Sequence, residues 1–313
     1  MFAMDGVLII DKPEGLTSHD VISRVRRIMG LRRAGHTGTL DPFATGVLVV
    51  LLGRATRLAQ FLSGADKEYA ATIRFGYATD TGDITGKPLS AVQACSRLDA
   101  ASIEAALASM RGEIEQTPPM YSAKKVQGRK LYEMARRGEE IQRAAVTVRV
   151  HQFETISLNN ELLQHNEDGT CDLAVRVVCS AGTYVRTLAE SVGQLLGIGA
   201  HLPALRRTSA GQFKIEDAIS LSELEREAEA GKGSRLLVSP DAALSHLPFV
   251  RLSAEESRQA RNGIGVPVSP PSEPKWPDGQ RVRMRNETDD LLAVGFYDEV
   301  RQLLHPSVVI ASQ

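Results

Sequence analysis

One carboxylate and one imidazole lie close together in a short glycine-rich stretch of this 313-residue sequence. Residues 35–46 read G-H-T-G-T-L-D-P-F-A-T-G and contain His36 and Asp41. Glycine adopts backbone angles that other residues avoid, and Pro42 lacks an amide donor, so the composition predicts a tight loop. An ionised carboxylate can act as a nucleophile or a general base. Asp41 is therefore a candidate catalytic residue, although Asp before Pro in such a loop is also a common turn former.

Two residues far along the chain could complete a site around Asp41. Arg186 follows a glycine-containing turn and could keep the carboxylate ionised against the effect of burial. Tyr69 is near the start of an alternating segment, and its ring could stack on a planar base. A carboxylate, a guanidinium and an aromatic face favour chemistry on a base or a sugar. The residues alone leave ordinary core, loop or surface roles open for Tyr69, Arg186 and His36.

Hydrophobic periodicity indicates the elements that hold these residues. Apolar runs at 6–10 and 47–52 predict two buried strands. Between them, a helical stripe predicts a helix that begins at Thr17 or Ser18 and ends at Gly30. The glycine-rich loop would thus connect this helix to the second strand.

Further elements are predicted along the rest of the chain. The patterns indicate a short helix at 54–62, strands at 67–75, 145–153 and 171–179, and a helix with Leu188, Val192, Leu195 and Leu196 on one face. A proline-rich stretch and short strands follow a boundary that we place near residues 239–248. This division gives a domain of residues 1–245 and a small β-barrel-like module of residues 246–313.

The overall charge does not indicate nucleic-acid binding, since the formal net charge is −1. The charge is unevenly distributed, and local patches matter more than the total. Residues 124–137, here called the basic segment, contain six cationic residues and one acidic one: Lys124, Lys125, Arg129, Lys130, Arg136 and Arg137 with Glu133. Residues 216–229 are acidic. A basic segment of this length between regular elements favours a binding loop.

Several classes of function lack their sequence signatures. Three cysteines without a C-x-x-C pair argue against a disulfide framework or a structural zinc site. The chain has no P-loop, no complete dinucleotide fingerprint, and no calcium-loop spacing at 79–86, to which we assign a structural role. No apolar run is long enough to span a membrane, and we see no signal peptide. We therefore expect a cytoplasmic protein without a metal or a membrane partner.

Six segments, in the same order, closely resemble the bacterial tRNA pseudouridine-55 synthases of the TruB family. Together they span most of residues 6–211, and the C-terminal part resembles the PUA-like RNA-binding module of that family more loosely. The segments are G-V-L-I-I-D-K-P-E-G-L-T-S-H-D-V at 6–21, G-H-T-G-T-L-D-P-F-A-T-G-V-L at 35–48, D-K-E-Y at 66–69, T-P-P-M-Y-S-A-K-K-V-Q-G-R-K-L-Y at 117–132, C-S-A-G-T-Y-V-R-T-L at 179–188 and H-L-P-A-L-R-R-T at 201–208.

The resemblance implies a role for each candidate residue. Asp41 would be the nucleophile, and Arg186 would pair with it and keep it ionised. Tyr69 would stack on a flipped-out uracil and help to remove its C5 proton. The pocket would be lined by Tyr184 and Leu205. His36 would contact the RNA beside the flipped nucleotide.

The resemblance also implies a fold, a substrate and a mode of binding. The fold would be α+β, with a mixed, largely antiparallel sheet flanked by helices and a PUA-like β-barrel. An insertion at about 117–143 would grip the T-loop of tRNA through the cationic residues Lys124, Lys125, Arg129 and Lys130. The uridine at position 55 would become pseudouridine without a cofactor, and we expect a monomer.

Two other classes of protein remain as alternatives. A non-catalytic RNA-binding or RNA-folding protein could share the scaffold, but binding alone does not require Asp41, Tyr69 and Arg186 together. A nucleoside hydrolase or glycosidase would need an acid and a base, or a metal, and would release free uracil.

Overall fold

A computed structural model describes residues 4–122, 124–126, 128–135, 137–139, 141–156, 161–268 and 275–310. Its helices are α1 (Ser18–Ile28), α2 (Ala59–Leu62), α3 (Ala100–Ser109), α4 (Leu131–Ala135), α5 (Val185–Leu195), α6 (Leu221–Glu229) and α7 (Ala254–Arg261). Its strands are β1 (Gly6–Lys12), β2 (Ala34–His36), β3 (Thr45–Leu52), β4 (Lys67–Phe75), β5 (Gly112–Gln116), β6 (Lys125–Val126), β7 (Arg129–Lys130), β8 (Val146–Thr155), β9 (Gln164–His165), β10 (Cys171–Cys179), β11 (Ala200–Ala210), β12 (Phe213–Lys214), β13 (Phe249–Arg251), β14 (Val266–Pro267), β15 (Arg281–Arg285), β16 (Leu291–Asp298) and β17 (Leu303–Val309).

A ten-stranded sheet organises the larger part of the described chain. Its main path runs β1-β3-β11-β4-β10-β8-β5, with β2, β9 and β12 paired at its sides. All of its pairings are antiparallel except the short parallel contact of β11 with β3, where Arg206 and Arg207 lie beside Thr45 and Gly46. The predicted α+β class with a mixed, largely antiparallel sheet is confirmed.

Three apolar layers flank this sheet. Alternation in β4 places Tyr69, Ala71, Ile73 and Phe75 on one face, where they pack with α3 and α5. On β1 and β3, one face packs against α1 and α6, and the opposite face packs against the 53–62 turns. Each strand therefore buries both of its faces at the centre of the sheet, as the continuous apolar run at 47–52 indicates.

Helix α1 begins and ends as the sequence predicts. Thr17 is the N-cap, and its side chain accepts a hydrogen bond from the Asp20 backbone while Asp20 accepts from Thr17. Gly30 follows the last turn with a φ of +62°. A capping box and a left-handed glycine each satisfy backbone groups that a helix end leaves unpaired.

Two predictions of local structure need correction. Residues 53–58 form 3₁₀ turns, and only 59–62 are α-helical, because the Asp5 carboxylate accepts a hydrogen bond from the Arg54 backbone at 2.6 Å and fixes the chain there. Leu195 was assigned to the buried stripe of α5, but 57% of it is exposed. Leu196, one residue later, packs against the core instead.

The C-terminal part has a five-stranded sheet with the order β13-β15-β16-β17-β14 and its own apolar core. This arrangement agrees with the expected PUA-like module. The module also contributes Leu291, Val294, Val308 and Ile310 to the apolar layer around Leu62 and Leu244 of the larger part. Residues 157–160 and 269–274, the second of which falls in the predicted proline-rich stretch, lie outside the described residues. Among the described helices, none is both long and apolar enough to cross a membrane.

The position of Gly46, at the end of the glycine-rich loop, requires glycine because its φ is positive and the Arg207 backbone lies too close for a side chain. Its φ is +100°, and a Cβ there would overlap the carbonyl oxygen of Arg207. We expect Gly46→Ala to lower the free energy of unfolding by more than about 3 kcal/mol, because backbone strain and a steric overlap add. Urea unfolding measures this loss.

Gly15→Ala is a matched control. Gly15 also has a positive φ, +82°, but a Cβ at this position meets nothing within 4 Å. Its loss should be limited to the strain of about 1–2 kcal/mol that a left-handed residue carries. Equal losses in the two variants would contradict the role of close packing at Gly46.

Candidate active site

Buried side chains fix the backbone of the loop between β2 and β3. Lys12 is fully buried, and its Nζ donates to the carbonyl oxygen of Pro42 at 3.2 Å. Ser18, at the first turn of α1, accepts from the Leu40 amide at 2.8 Å and donates to the Leu40 carbonyl at 3.1 Å. A loop rich in glycine has few side chains with which to pack, so these polar contacts determine its shape.

Asp41 forms an ion pair with Arg186 at the start of α5. The Arg186 Nε lies 2.9 Å from the Asp41 Oδ2, and 4% of the Arg186 side chain is exposed against 32% of the Asp41 side chain. The remaining guanidinium nitrogens donate to the carbonyls of Thr81 at 2.7 Å and Tyr121 at 2.6 Å. Arg186 is thus held on three sides, and it presents the carboxylate to the cleft.

A second carboxylate, which the sequence did not indicate, lies beside this pair. The Asp83 Oδ2 is 3.5 Å from the Arg186 Nη1, and Asp83 is buried. It accepts hydrogen bonds from the Thr81 hydroxyl at 2.8 Å and from the Thr85 amide at 3.0 Å. The purely structural role assigned to 79–86 is therefore incomplete. The link between Asp83 and the Asp41–Arg186 pair depends on a long-range contact with α5, and the local sequence of 79–86 does not indicate that contact.

Opposing effects act on the ionisation of Asp41. Burial raises its pKa above the ordinary value, and the negative charge of Asp83 acts in the same direction. The Arg186 guanidinium opposes this rise, through its charge and its hydrogen bond, and so does the Lys12 charge. A carboxylate with a raised pKa is a stronger base and nucleophile when ionised, provided that a cation keeps it ionised near neutral pH.

Asp41 opens into a cleft of about 300 Å³. Tyr69, Tyr184, Arg186 and Leu205 line the same cleft. The Tyr184 backbone is fixed by Gln116, which accepts from its amide at 2.7 Å and donates to its carbonyl at 3.1 Å. Five residues from four separate parts of the sequence, Asp41 among them, therefore meet in one cleft.

His36 lies apart from this group. It ends β2 beside Val50, it is half-buried, and it does not line the cleft. Burial lowers its pKa, and the neighbouring charge of Arg207 acts in the same direction. The side chain is consequently neutral near pH 7, and its Nδ1 has no hydrogen-bond partner in the described part of the chain. Its implied contact with RNA stays a prediction.

The basic segment folds into a small hairpin, β6 and β7, followed by α4. Lys124 is half-buried, and Arg129 pairs with Glu139 at 2.9 Å. Leu131 and Met134 are buried, so part of this segment packs against the protein. The side chains of Lys125 and Lys130, and all of Arg136, lie outside the described residues.

Two further cations of the cleft lack any contact with a described carboxylate. Lys67 and Arg207 line the cleft, and both are buried. Lys67 donates to the carbonyl of Ser63 at 2.7 Å, and burial lowers its pKa to about 8. The R-R pair at 206–207 was visible in the sequence, but alternation alone could not show that Arg207 points inward. Of the described residues, no group of three or more His, Cys, Asp or Glu could hold a metal ion.

Comparison with known proteins agrees with this geometry. The TruB family pseudouridylate synthase N-terminal domain matches residues 26–185, and the tRNA pseudouridylate synthase B C-terminal domain matches residues 186–245. The tRNA pseudouridine synthase B of Geobacillus thermodenitrificans is 46% identical over 261 residues, which cover 83% of this chain and 85% of that protein. The chain belongs to the TruB family of pseudouridylate synthases. It is therefore an enzyme, and the family that its motifs resemble is confirmed.

Other members of this family extend the match along the chain. The tRNA pseudouridine synthase B of Solibacter usitatus is 40% identical over 307 residues, or 98% of this chain and 100% of that protein. Among solved structures, an H/ACA RNP bound to a substrate RNA containing 2′-deoxyuridine matches with a TM-score of 0.72 and 26% identity over 99% of this chain and 86% of that one. A Cbf5-Nop10-Gar1 complex matches with a TM-score of 0.70 and 27% identity, over 98% and 84% of the two chains.

The Asp41–Arg186 ion pair predicts how the reaction rate depends on pH. Arg186→Gln removes the main charge that opposes burial, so the pKa of Asp41 should rise further. In the predicted role of Asp41 the ionised carboxylate is the reactive form, so we expect the single-turnover rate to fall as the pH falls through this pKa. In the variant, that fall should occur at a higher pH than in the wild type. A pH–rate profile for each protein measures the displacement.

Arg74→Gln is the matched control, because Arg74 forms an Arg–carboxylate pair with Asp172 away from the cleft. The rate of Arg74→Gln should fall at the same low pH as the rate of the wild type. If the rate of Arg186→Gln fell at the same pH as that of the wild type, Arg186 would not control the ionisation of Asp41.

Proposed function

We propose that this enzyme isomerises the uridine at position 55, in the T-loop of tRNA, to pseudouridine, with Asp41 as the nucleophile. The observation that carries the proposal is the Asp41–Arg186 ion pair in a cleft that also contains Tyr69. The relatives named tRNA pseudouridine synthase B support tRNA as the substrate.

The reaction needs no net gain or loss of electrons. The N-glycosidic bond breaks, the uracil rotates, and a bond forms between C5 and the same sugar carbon. The C5 proton leaves, and N1 gains a proton, so the product is an isomer. Asp41 attacks either the sugar carbon or the base, and both routes need an ionised carboxylate.

Access to the glycosidic bond requires that the uridine leave its stack, at a cost of a few kcal/mol. Tyr69 lies in the cleft with Tyr184 and Leu205, which supply two more surfaces for a flat base. Stacking on an aromatic ring contributes about 1–3 kcal/mol per base and offsets part of that cost. The cleft thus favours a flipped-out base, and in this proposal His36, outside its lining, contacts a neighbouring nucleotide.

The remaining assignments concern the arrangement of the chain around the RNA. We assign residues 1–245 to the catalytic domain, the insertion at about 117–143 to the grip on the T-arm, and residues 246–313 to a PUA-like RNA-binding domain. Lys124, Lys125, Arg129 and Lys130 contact phosphates in this proposal. Since one chain supplies every proposed site residue, we propose that the enzyme works as a monomer, and that it acts on tRNA in the cytoplasm.

Release of tritium from tRNA that contains 5-tritiated uridine tests the reaction. The wild type should release tritium and form pseudouridine at position 55, because the C5 proton is lost in this isomerisation. Asp41→Asn should reduce the single-turnover rate by about 10⁴-fold or more, since an amide replaces the nucleophile. Binding of tRNA should persist, as measured by filter binding.

Asp172→Asn is the control for this variant, because Asp172 also pairs with an arginine but lies away from the cleft. It should keep the wild-type rate. A wild type that releases no tritium would exclude the enzyme reading for this substrate, and free uracil as the product would indicate a hydrolase. Pseudouridine at another position would contradict the proposed site on the tRNA.

The proposed phosphate contacts predict how the affinity for tRNA depends on salt concentration. Lys124 forms no ion pair with any described residue, and Arg129 must leave Glu139 to bind a phosphate. Lys124→Ala should weaken binding of tRNA and reduce the slope of log K against log salt by about one. Titrations at several salt concentrations measure both effects.

Arg226→Ala serves as the comparison, because Arg226 lies on the acidic helix α6 and pairs with Glu223 and Glu227. It should bind tRNA like the wild type. A salt slope that is unchanged in Lys124→Ala would remove this residue from the RNA interface.

A further inference from the structure

Arg207 is a buried cation in the cleft, and 2% of its surface is exposed. Its Nε donates to the Val47 carbonyl at 2.7 Å, its Nη2 to the Gly38 carbonyl at 3.1 Å, and its Nη1 approaches the Thr39 carbonyl at 3.5 Å. Among the described residues, no carboxylate lies within ion-pair distance of it. Arginine does not deprotonate in proteins, so a full positive charge is buried there with only carbonyl dipoles around it.

A buried charge without a counter-ion is costly, and a fold that needed only a filled space would use an apolar side chain there. The position of Arg207 suggests what the charge does. Arg207 on β11 is the direct antiparallel neighbour of Tyr69 on β4, so the two side chains lie on the same face of the sheet, and the charge of Arg207 acts on the Tyr69 hydroxyl. Both side chains line the cleft that contains Asp41.

The surroundings of Tyr69 act on its hydroxyl in opposite directions. Burial raises the pKa of Tyr69 above its ordinary value, and the neighbouring charge of Arg207 is the influence that opposes this rise. The other titratable groups that act on it are Cys179 on β10 and Asp41 in the loop, and both raise the pKa of Tyr69. Lys67 also lines the cleft, two residues earlier on β4. Arg207 is therefore the group that most directly favours a negative charge on the phenol oxygen.

We propose that Arg207 is a positioning residue for Tyr69, which holds the phenol oxygen toward C5 of the bound uracil and favours the phenolate that accepts the C5 proton. This inference rests on the proposed function and adds a residue to it. The phenolate forms by loss of a proton to water. When the new C–C bond has formed, the C5–H bond breaks, its electron pair returns to the ring, and the proton binds the Tyr69 oxygen. N1 takes a proton from water, so the step needs no oxidant or reductant.

The same guanidinium connects Tyr69 to the loop of Asp41. It binds the carbonyls of Gly38 and Thr39, and a Cβ added to Gly38 would lie 3.5 Å from its Nη1. Arg207 thus fixes the distance between the loop of the nucleophile and the side chain that takes the proton. A lysine in its place would keep a charge but would lose the planar arrangement of donors that reaches two elements at once.

A double-mutant cycle tests whether Arg207 acts through Tyr69. The variants are Arg207→Gln, Tyr69→Phe and the double variant, with Arg207→Lys as the conservative change. Arg206→Gln is the matched control: Arg206 is adjacent on β11, but its side chain is 42% exposed and pairs with Asp11 at 2.7 Å. Each protein is assayed for single-turnover formation of pseudouridine, for tRNA affinity and for its thermal midpoint.

We expect Arg207→Gln to lower the single-turnover rate by about 100-fold or more, the usual contribution of a positioned acid–base group. The tRNA affinity should change little. The rate of this variant should recover as the pH rises, because the phenolate then forms without the neighbouring charge, and Arg207→Lys should keep part of the activity. In the Tyr69→Phe background, the Arg207→Gln change should have almost no further effect.

Several outcomes would overturn the inference. Effects of Arg207→Gln and Tyr69→Phe that multiply in the double variant would show that Arg207 does not act through Tyr69. An equal loss in Arg206→Gln, or a wild-type rate in Arg207→Gln, would also exclude it. If Arg207→Gln does not fold, the same cycle with Arg207→Lys decides the question. A wild type that forms no pseudouridine refutes the proposed function instead, so the two failures are distinguishable.

Discussion

Hydrogen bonds from buried cations to backbone carbonyls set the position of the glycine-rich loop, and the rest of the site depends on them. Lys12 and Arg207 hold the loop from two sides, and Arg186 holds its carboxylate. A glycine-rich loop pays a large conformational entropy when it is fixed, and it offers few side chains for packing. Buried charges are costly, but each one satisfies carbonyls that no strand partner reaches. The loop thereby gains a single shape.

The same cations define the electrostatics of the cleft. Burial raises the pKa of Asp41 and favours its protonated form, which is a poor nucleophile. Arg186 counteracts this effect, but it is shared with Asp83, so the two carboxylates compete for one guanidinium. The shared arrangement leaves Asp41 more basic than a carboxylate with its own arginine. It also orients the free oxygen of Asp41, because Thr81 and Tyr121 prevent Arg186 from rotating.

Local patterns in the sequence predicted the elements well and predicted the contacts of the site poorly. Alternation places β4 at 67–75 with Tyr69 on its buried face, and the capping residue at Thr17 locates the start of α1. The family resemblance anticipated the pairing of Asp41 with Arg186, which the structure contains. Asp83 and Arg207 were missed, because periodicity does not tell which strands become neighbours. Asp83 lies 103 positions from its partner Arg186, and Arg207 lies 169 positions from its partner Gly38.

The contact of Arg186 with Tyr121 connects the Asp41–Arg186 pair to the chain that leads into the basic segment. Tyr121 lies three residues before the basic segment, and its carbonyl accepts from the Arg186 Nη2 at 2.6 Å. Arg129 in this segment forms an exposed pair with Glu139, and exposed pairs contribute little to stability. A phosphate can therefore replace Glu139 at small cost, whereas a displacement of Tyr121 would remove a buried hydrogen bond from Arg186. The exposed Arg129 pair can therefore change at little cost to the Asp41–Arg186 pair, whereas Tyr121 has to keep its place for Arg186 to stay oriented.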